Sequence, residues 1–376
     1  MQLTQPAKTK IDKTYGYWIE SNDQKLLDLA LGYSSCIWGY KNKRLLDVLN
    51  NATVNDVSFL HEGQSCSTLE KVNKKLLEKT GMKALLWAVS GSDAVEAAIQ
   101  IAIQYQNLTY RKDKIVSFAP SYHGCTYIAR VLNGERKHNN FINITVPAWT
   151  EMHEQSKVEE IVWNNLEFCI NKDSQIGGVI LESMPWFNGH RPWSSSWWEK
   201  MKLLQKKNIL LIIDDVACGF GKVAPYLSHQ KLGFEADIVA AGKALTGGYA
   251  PASCAFAGKS IFPVLQKDSW WHGHTFHPYI PALHLINECL DMTDETRFEQ
   301  LGERLISVLS SNKNILHHRG IGLIREVFLK KEVTPEAMLK AGIFAMRKNN
   351  NSMTIVVPQI ADDTYWQELS NRLNLF

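Results

Sequence analysis

From about residue 67 the chain alternates short apolar runs with amphipathic stretches, the rhythm of an α/β domain built on a mainly parallel sheet with flanking helices. "STLEKVNKKLLEK" sets Ser67 three residues before Glu70, a capping-box spacing, and lines Leu69, Val72, Leu76 and Leu77 along one helical face. A strand is expected at "ALLWAV". "SDAVEAAIQIAIQYQ" then repeats apolar positions at Val95, Ala98, Ile99, Ala102 and Ile103, so a second helix starts directly after a turn at Gly91. "KIVSFA", "GGVILES", "ILLIIDD" and "DIVAAG" are short and apolar and end in turn or helix-start residues, as interior strands do.

After about residue 275 the texture changes. "EQLGERLISVLSS" reads as a helix, and "GLIREVFL" and "MTIVVP" read as short strands, which together suggest a smaller α+β domain. "YGYWIESNDQKLLDLA" near the start reads as strand, Asn-Asp turn and strand, so the N-terminal residues are expected to join that domain. A chain of 376 residues exceeds the roughly 250–300 residues at which single cores stop growing. The expected division is a large domain over 45–275 and a small one formed by 1–44 and 276–376.

Composition removes several classes of function. Lys plus Arg number 41 against 38 Asp plus Glu, so no field that would seek a polyanion is present and nucleic acid is not expected as a partner. The seven cysteines are scattered without the close pairs of a zinc site or redox motif, the usage of a reducing compartment. The opening "MQLTQPAKTKIDK" lacks an apolar signal stretch, and no run approaches the ~20 apolar residues of a membrane span. A cytoplasmic protein without a membrane partner is the expectation.

Candidate chemistry lies at strand ends, because ligands of open parallel sheets bind beyond the carboxyl ends of the strands. "WAVSGSDA" ends a strand with Ser90, Gly91 and Ser92 and opens a helix, whose free N–H groups and positive dipole end suit a phosphate. "LLIIDDVACGFGK" ends another with Asp214 and Asp215, and "DIVAAGK" carries Lys243 to the end of a third. Each has an ordinary reading alone: a helix cap, a second cap, a solvated lysine. Together a phosphate cradle, a buried carboxylate and a desolvated amine suit pyridoxal 5'-phosphate, which needs a lysine, an acid for its ring nitrogen and an anchor for its phosphate. A P-loop does not fit, since "AGKA" lacks the Ser or Thr and "AGKS" has Ser253 where the first glycine belongs.

The motifs "SGSDAVEAAIQIA", "SYHG", "LIIDDVACGFGK", "DIVAAGKALTGGY" and "HGHTF" occur in that order from about residue 15 to the end, and in order and spacing the chain resembles the class III aminotransferases, pyridoxal phosphate enzymes of fold type I. The resemblance implies Lys243 as the Schiff-base lysine, Asp214 as partner of the pyridine nitrogen, and Ser90, Gly91 and Ser92 at the phosphate. It implies Tyr122 stacked on the cofactor ring with His123 beside it, and Thr275 as a phosphate ligand given by the neighbouring subunit of a homodimer. Glu182 matches an acidic position near the cofactor, although Ser183 stands where the family has proline. The catalytic residues would then be Lys243, Asp214 and Tyr122.

Within that family "GKALTGG", "AIQIAIQY" and Ala217 are most similar to the diaminopelargonic acid aminotransferase branch. The departures fall on the substrate side: Cys125 and Lys222 stand where that branch has aspartate and arginine, its N-terminal tryptophan pair is missing from "GYSSCIWGY", and "HTFHPYIPA" lacks its Gly-Asn-Pro continuation. Arg347 matches the position of a carboxylate-binding arginine, and Tyr17 is a further candidate on the substrate side. The function implied is transfer of an amino group from an amine or amino acid to a carbonyl acceptor. Its rivals are an aminomutase, decarboxylase or racemase on the same scaffold, and a cofactor-binding homologue without turnover. His272, His274 and His277 could be imagined around a metal, but the resemblance places that segment at the cofactor phosphate, so no metal is expected.

Overall fold

A computed structural model describes residues 10–61, 63–147, 155–187, 189–268, 273–276, 278–347 and 350–376. His272 and His277 lie outside these, as do Trp270 and Trp271. The chain begins with three strands, β1 (Lys13–Tyr15), β2 (Trp18–Ser21) and β3 (Gln24–Asp28). Asn22 and Asp23 join the last two with φ of 48° and 61°, the left-handed pair that a two-residue hairpin turn requires.

Seven strands follow: β4 (Ala84–Ala88), β5 (Lys114–Ala119), β6 (Phe141–Thr145), β7 (Ile176–Glu182), β8 (Leu210–Asp214), β9 (Ile238–Ala241) and β10 (Ser253–Ala257). They form one sheet in the order β4-β10-β9-β8-β7-β5-β6. β5 to β9 pair in parallel with their neighbours β6, β7 and β8, whereas β10 runs antiparallel to both β4 and β9. Every residue of β7 and β8 is buried, which is why both read as unbroken apolar runs. β6 and β10 have no counterpart in the hydrophobic pattern. The small residues of "SCAFA" are too short-ranged a signal to be told from a loop.

Two helices expected from the periodicity are present, at Ser67–Thr80 and Gly91–Thr109. The first is capped by the thiol of Cys66, which accepts from the Leu69 N–H, and not by Ser67. Glu70 is engaged from outside the helix by the Ser65 hydroxyl. Ser90 caps the second helix, its Oγ accepting from the Asp93 N–H at 3.2 Å. Ala94, Val95, Ala98, Ile99 and Ala102 of that helix are buried against one face of the large sheet.

The remaining strands are β11 (Ile315–Arg319), β12 (Ile324–Leu329), β13 (Ile343–Phe344), β14 (Met346–Arg347) and β15 (Ser352–Val356). β11, β12, β15 and β14 make a second sheet, and β13 adds to the N-terminal strands by pairing in parallel with β3. Tyr17, Leu27 and Leu29 accordingly share a core with Phe298, Leu305, Val327, Ile355 and Trp366. The helix Ile280–Met292 buries Ile280, Leu283, Leu285 and Ile286 in the core beneath the large sheet. We therefore propose to draw the C-terminal domain boundary after that helix, near residue 293, and not at 276.

Candidate active site

The register of the large sheet aligns Glu182 on β7 with Asp214 on β8, and Asp214 with Ala240 on β9. Three acidic and basic groups therefore reach the same end of the sheet: Glu182 and Asp214 as last residues of their strands, and Lys243 just beyond the third. They open into a cavity of about 640 Å³ whose lining includes Ser90, Gly91, Ser92, Tyr122, His123, Cys125, Glu182, Asp214 and Lys243. Nine candidates from five strand ends thus converge.

At the floor, His123 Nδ1 lies 2.8 Å from Asp214 Oδ2, and the Val216 N–H donates to Asp214 Oδ1 at 3.1 Å. His123 is oriented in turn by Asn133, whose Oδ1 accepts from its backbone N–H at 2.7 Å. Glu182 is buried and works as a clamp: one carboxylate oxygen accepts from the Tyr122 N–H at 2.7 Å and the other from the Trp186 N–H. Burial pushes its carboxyl above the ordinary range, with nearby His123 opposing.

Lys243 follows β9 with φ of 51°, in a left-handed conformation uncommon for a residue with a side chain. Burial holds its amine below the ordinary lysine range, and Asp214, Cys218 and Glu182 oppose that shift. Its Nζ lies 5.4 Å from the centroid of the Trp186 ring.

At the other side of the cavity the helix Gly91–Thr109 presents its first turn. The leading N–H groups of such a helix have no acceptor within it. A Cβ on Gly91 would meet Val216 Cγ1 at 2.5 Å, and one on Gly124, whose φ is 123°, would meet Ser92 Oγ at 2.3 Å. Backbone therefore approaches closely where side chains would block it. The Ser92 hydroxyl accepts from the Cys125 N–H at 3.0 Å, which ties the turn after Tyr122 to the start of the helix.

Four candidates are placed elsewhere or at the margin. Tyr17 donates to Asp362 Oδ1 at 2.8 Å and packs against Trp18 and Tyr365, inside the small core. Lys222 is fully buried with its Nζ 3.3 Å from the Val216 carbonyl, behind the cavity wall and not on it. Arg347 lies on the edge strand β14, opposite Met353, and is not among the described lining residues. Thr275 is exposed, and its neighbour His274 places Nε2 2.9 Å from Asp93 Oδ1 in the first turn of the phosphate-side helix of the same chain.

Sequence reasoning did not single out Tyr33, Trp186, Phe187 or Val216, all of which line the cavity. The aromatic pair in "SMPWFNG" directly after a strand end was the available signal for two of them. Val216 was legible only as the neighbour of the Asp pair, and Tyr33 sits in a turn with φ of 56° that has no periodicity.

The doubly flanked sheet and the cavity at its strand ends define a fold type I pyridoxal phosphate transferase. The residues present fit that cofactor. The half-buried Lys243 amine stands without a hydrogen bond or ion pair among the described residues, a helix N-terminus is cleared of side chains, and the Nε2 of buried His123 is left without a partner. The chain matches the Aminotransferase class-III family model over residues 3–375 and belongs to that family.

Among curated relatives, it is 28% identical to adenosylmethionine-8-amino-7-oxononanoate aminotransferase of Staphylococcus aureus, over 84% of this chain and 76% of that one. It is 25% identical to ornithine aminotransferase of Bacillus cereus, over 96% and 92%. The omega transaminase of Pseudomonas jessenii in complex with PMP has the same fold, with a TM-score of 0.89 at 20% identity over 99% of this chain and 95% of that one. No described helix is long and apolar enough to cross a membrane.

Proposed function

We propose that the chain takes an amino group from a primary amine with an apolar, in particular aromatic, substituent and passes it to a carbonyl acceptor, using Lys243 as the lysine that carries the cofactor. The observation that supports this donor class is the wall of the cavity. Above Glu182, Asp214 and Lys243 it is made of Tyr33, Tyr122, Trp186, Phe187, Ala217 and Cys125, and the described lining contains no arginine and no lysine but Lys243. A second carboxylate on the donor would be desolvated there without a cation, which is costly, whereas an aromatic group would meet rings. Arg347, on its edge strand, does not offset this.

Pyridoxal phosphate supplies an aldehyde for the donor nitrogen and a ring that accepts the electron pair of the broken C–H bond. The protein's part is position and charge. Asp214, fixed by His123 and the Val216 N–H, presents an anion to the ring nitrogen and favours its protonated form. Lys243, whose basicity burial lowers, would carry the cofactor and would accept and return the substrate's proton. The first turn of the helix after Ser90 would hold the phosphate through backbone N–H groups, and Tyr122, on the cavity lining, would pack against the cofactor.

The working unit in this reading is a homodimer. Tyr33 and Phe187, both on the cavity lining, are 71% and 53% exposed, aromatic surface that a second copy would cover. Thr275 then reaches the phosphate side of a site.

The test is a donor panel scored by pyridoxamine phosphate formation, with an arylalkyl amine, a dicarboxylic amino acid, ornithine and S-adenosylmethionine. The arylalkyl amine should turn over at least about tenfold faster than the others, a difference of about 1.4 kcal/mol in barrier. Arg347→Ala should leave its rate unchanged. Preference for the dicarboxylic donor, lost in Arg347→Ala, would overturn the donor class while leaving the transaminase standing.

A further inference from the structure

Trp186 is one of four aromatic side chains, with Tyr33, Tyr122 and Phe187, that line the cavity outside the hydrophobic cores. It is absent from all three clusters of packed apolar side chains, yet it is held from two directions. Its backbone N–H is bound by buried Glu182. Its ring meets the edge of His190 at a centroid distance of 4.4 Å and 77°. His190 is buried, and its Nδ1 lies 3.2 Å from Glu326 Oε2 on β12. Glu326 is fixed by hydroxyls from two positions of β15, Ser352 and Thr354. The ring is thus braced against both domains.

What the ring faces is Lys243, 5.4 Å from Nζ to centroid, within the roughly 6 Å over which an ammonium is attracted to an aromatic face. Among the described residues Lys243 has neither a hydrogen bond nor an ion pair. An amine that alternates between a bonded and a released state needs a place to wait that does not hold it too firmly. A carboxylate partner would trap the ammonium, and bare apolar surface would let the side chain wander.

We propose that Trp186 is a positioning residue for Lys243, its indole face receiving the lysine's ammonium whenever the amine is not bonded to the cofactor and keeping it at the cavity floor. This rests on the reading of Lys243 as the cofactor's lysine. No bond forms or breaks at Trp186; it stabilises the charged amine and fixes its direction. Asp214, Glu182 and Cys218 also face Lys243 and favour its charge, and the Lys222 amine behind the wall opposes it. These groups are common to all the variants compared below.

The readout is the pH profile of Lys243 acylation in the full-length protein stripped of cofactor, followed by peptide mass spectrometry. Trp186→Leu removes the face that stabilises the ammonium, so the free amine becomes more abundant, and labelling at pH 7 should rise roughly threefold to tenfold. Trp186→Phe keeps an aromatic face and should stay within about twofold of the parent. Should the leucine variant melt below assay temperature by circular dichroism, Trp186→Met takes its place. A folded Trp186→Leu protein with an unchanged labelling profile would overturn the proposal. Borohydride trapping of cofactor on another lysine would instead remove the reading of Lys243 beneath it.

Discussion

His123 and Asp214 lie 91 positions apart in sequence, and their side chains meet at 2.8 Å, both buried at the cavity floor. The imidazole holds the carboxylate in the orientation in which it can face a ring nitrogen, as a buried acid that is hydrogen-bonded keeps a single geometry.

This pairing sets an order of severity. Asp214→Asn removes the anion and should lower kcat/KM by at least about a hundredfold, some 2.7 kcal/mol. His123→Ala leaves the anion and loosens it, so a smaller loss of about tenfold is expected. Steady-state kinetics of both variants with one donor check the order. A larger loss at His123 would place the chemistry on the imidazole.

Lys243→Ala should abolish both the visible absorbance band and covalent trapping of cofactor by borohydride. The other buried amine near the site, Lys222, should remain unlabelled in the parent protein. Tryptic mapping after reduction distinguishes the two, and label on Lys222 would reverse the assignment.

Lys222 makes stability depend on pH. Burial, and then repulsion from Lys243, lower its amine from the ordinary 10.5 to about 7. Between those values the unfolded chain binds a proton there that the folded chain does not, so stability rises with pH through that window and the penalty is complete below about pH 7. Lys222→Met should therefore raise Tm at pH 7, with the gain shrinking toward pH 10. Buried Asp215, its carboxyl pushed up to about 6, acts in a separate window at lower pH. A gain in Tm that is the same at pH 7 and pH 10 would show that the lysine's charge is not what destabilises.

Thr275 distinguishes a shared site from a private one. Mixing inactive Lys243→Ala and Thr275→Ala chains should recover part of the activity if one subunit completes the other's site. The His274 to Asp93 contact within one chain gives the alternative its geometry. No recovery after confirmed subunit exchange would assign Thr275 to its own chain's cradle.

Much of this protein follows from short-range pattern. Interior strands are legible because both their faces are buried, and Ser90 to Ser92, Asp214 and Lys243 are legible because chemistry in a parallel sheet gathers where strands end and helices begin. What the sequence by itself determined is therefore which residues arrive at the carboxyl edge. Direction and partnership were left to the tertiary structure. Lys222 and Asp214 belong to one motif, yet the chain between them turns through left-handed Phe220 and Gly221, and the lysine points behind the wall that the aspartate faces. Tyr17 reads as an aromatic near the site, but β13, more than 300 residues later, pairs with its hairpin and carries it into the small core. Trp186 was invisible as a partner of Lys243 because their contact depends on the register of β7, β8 and β9 and on a loop braced by Glu326. Local propensity acts over a few residues, whereas a side chain's neighbours across a fold are set by strand register and packing, which no single stretch of chain encodes.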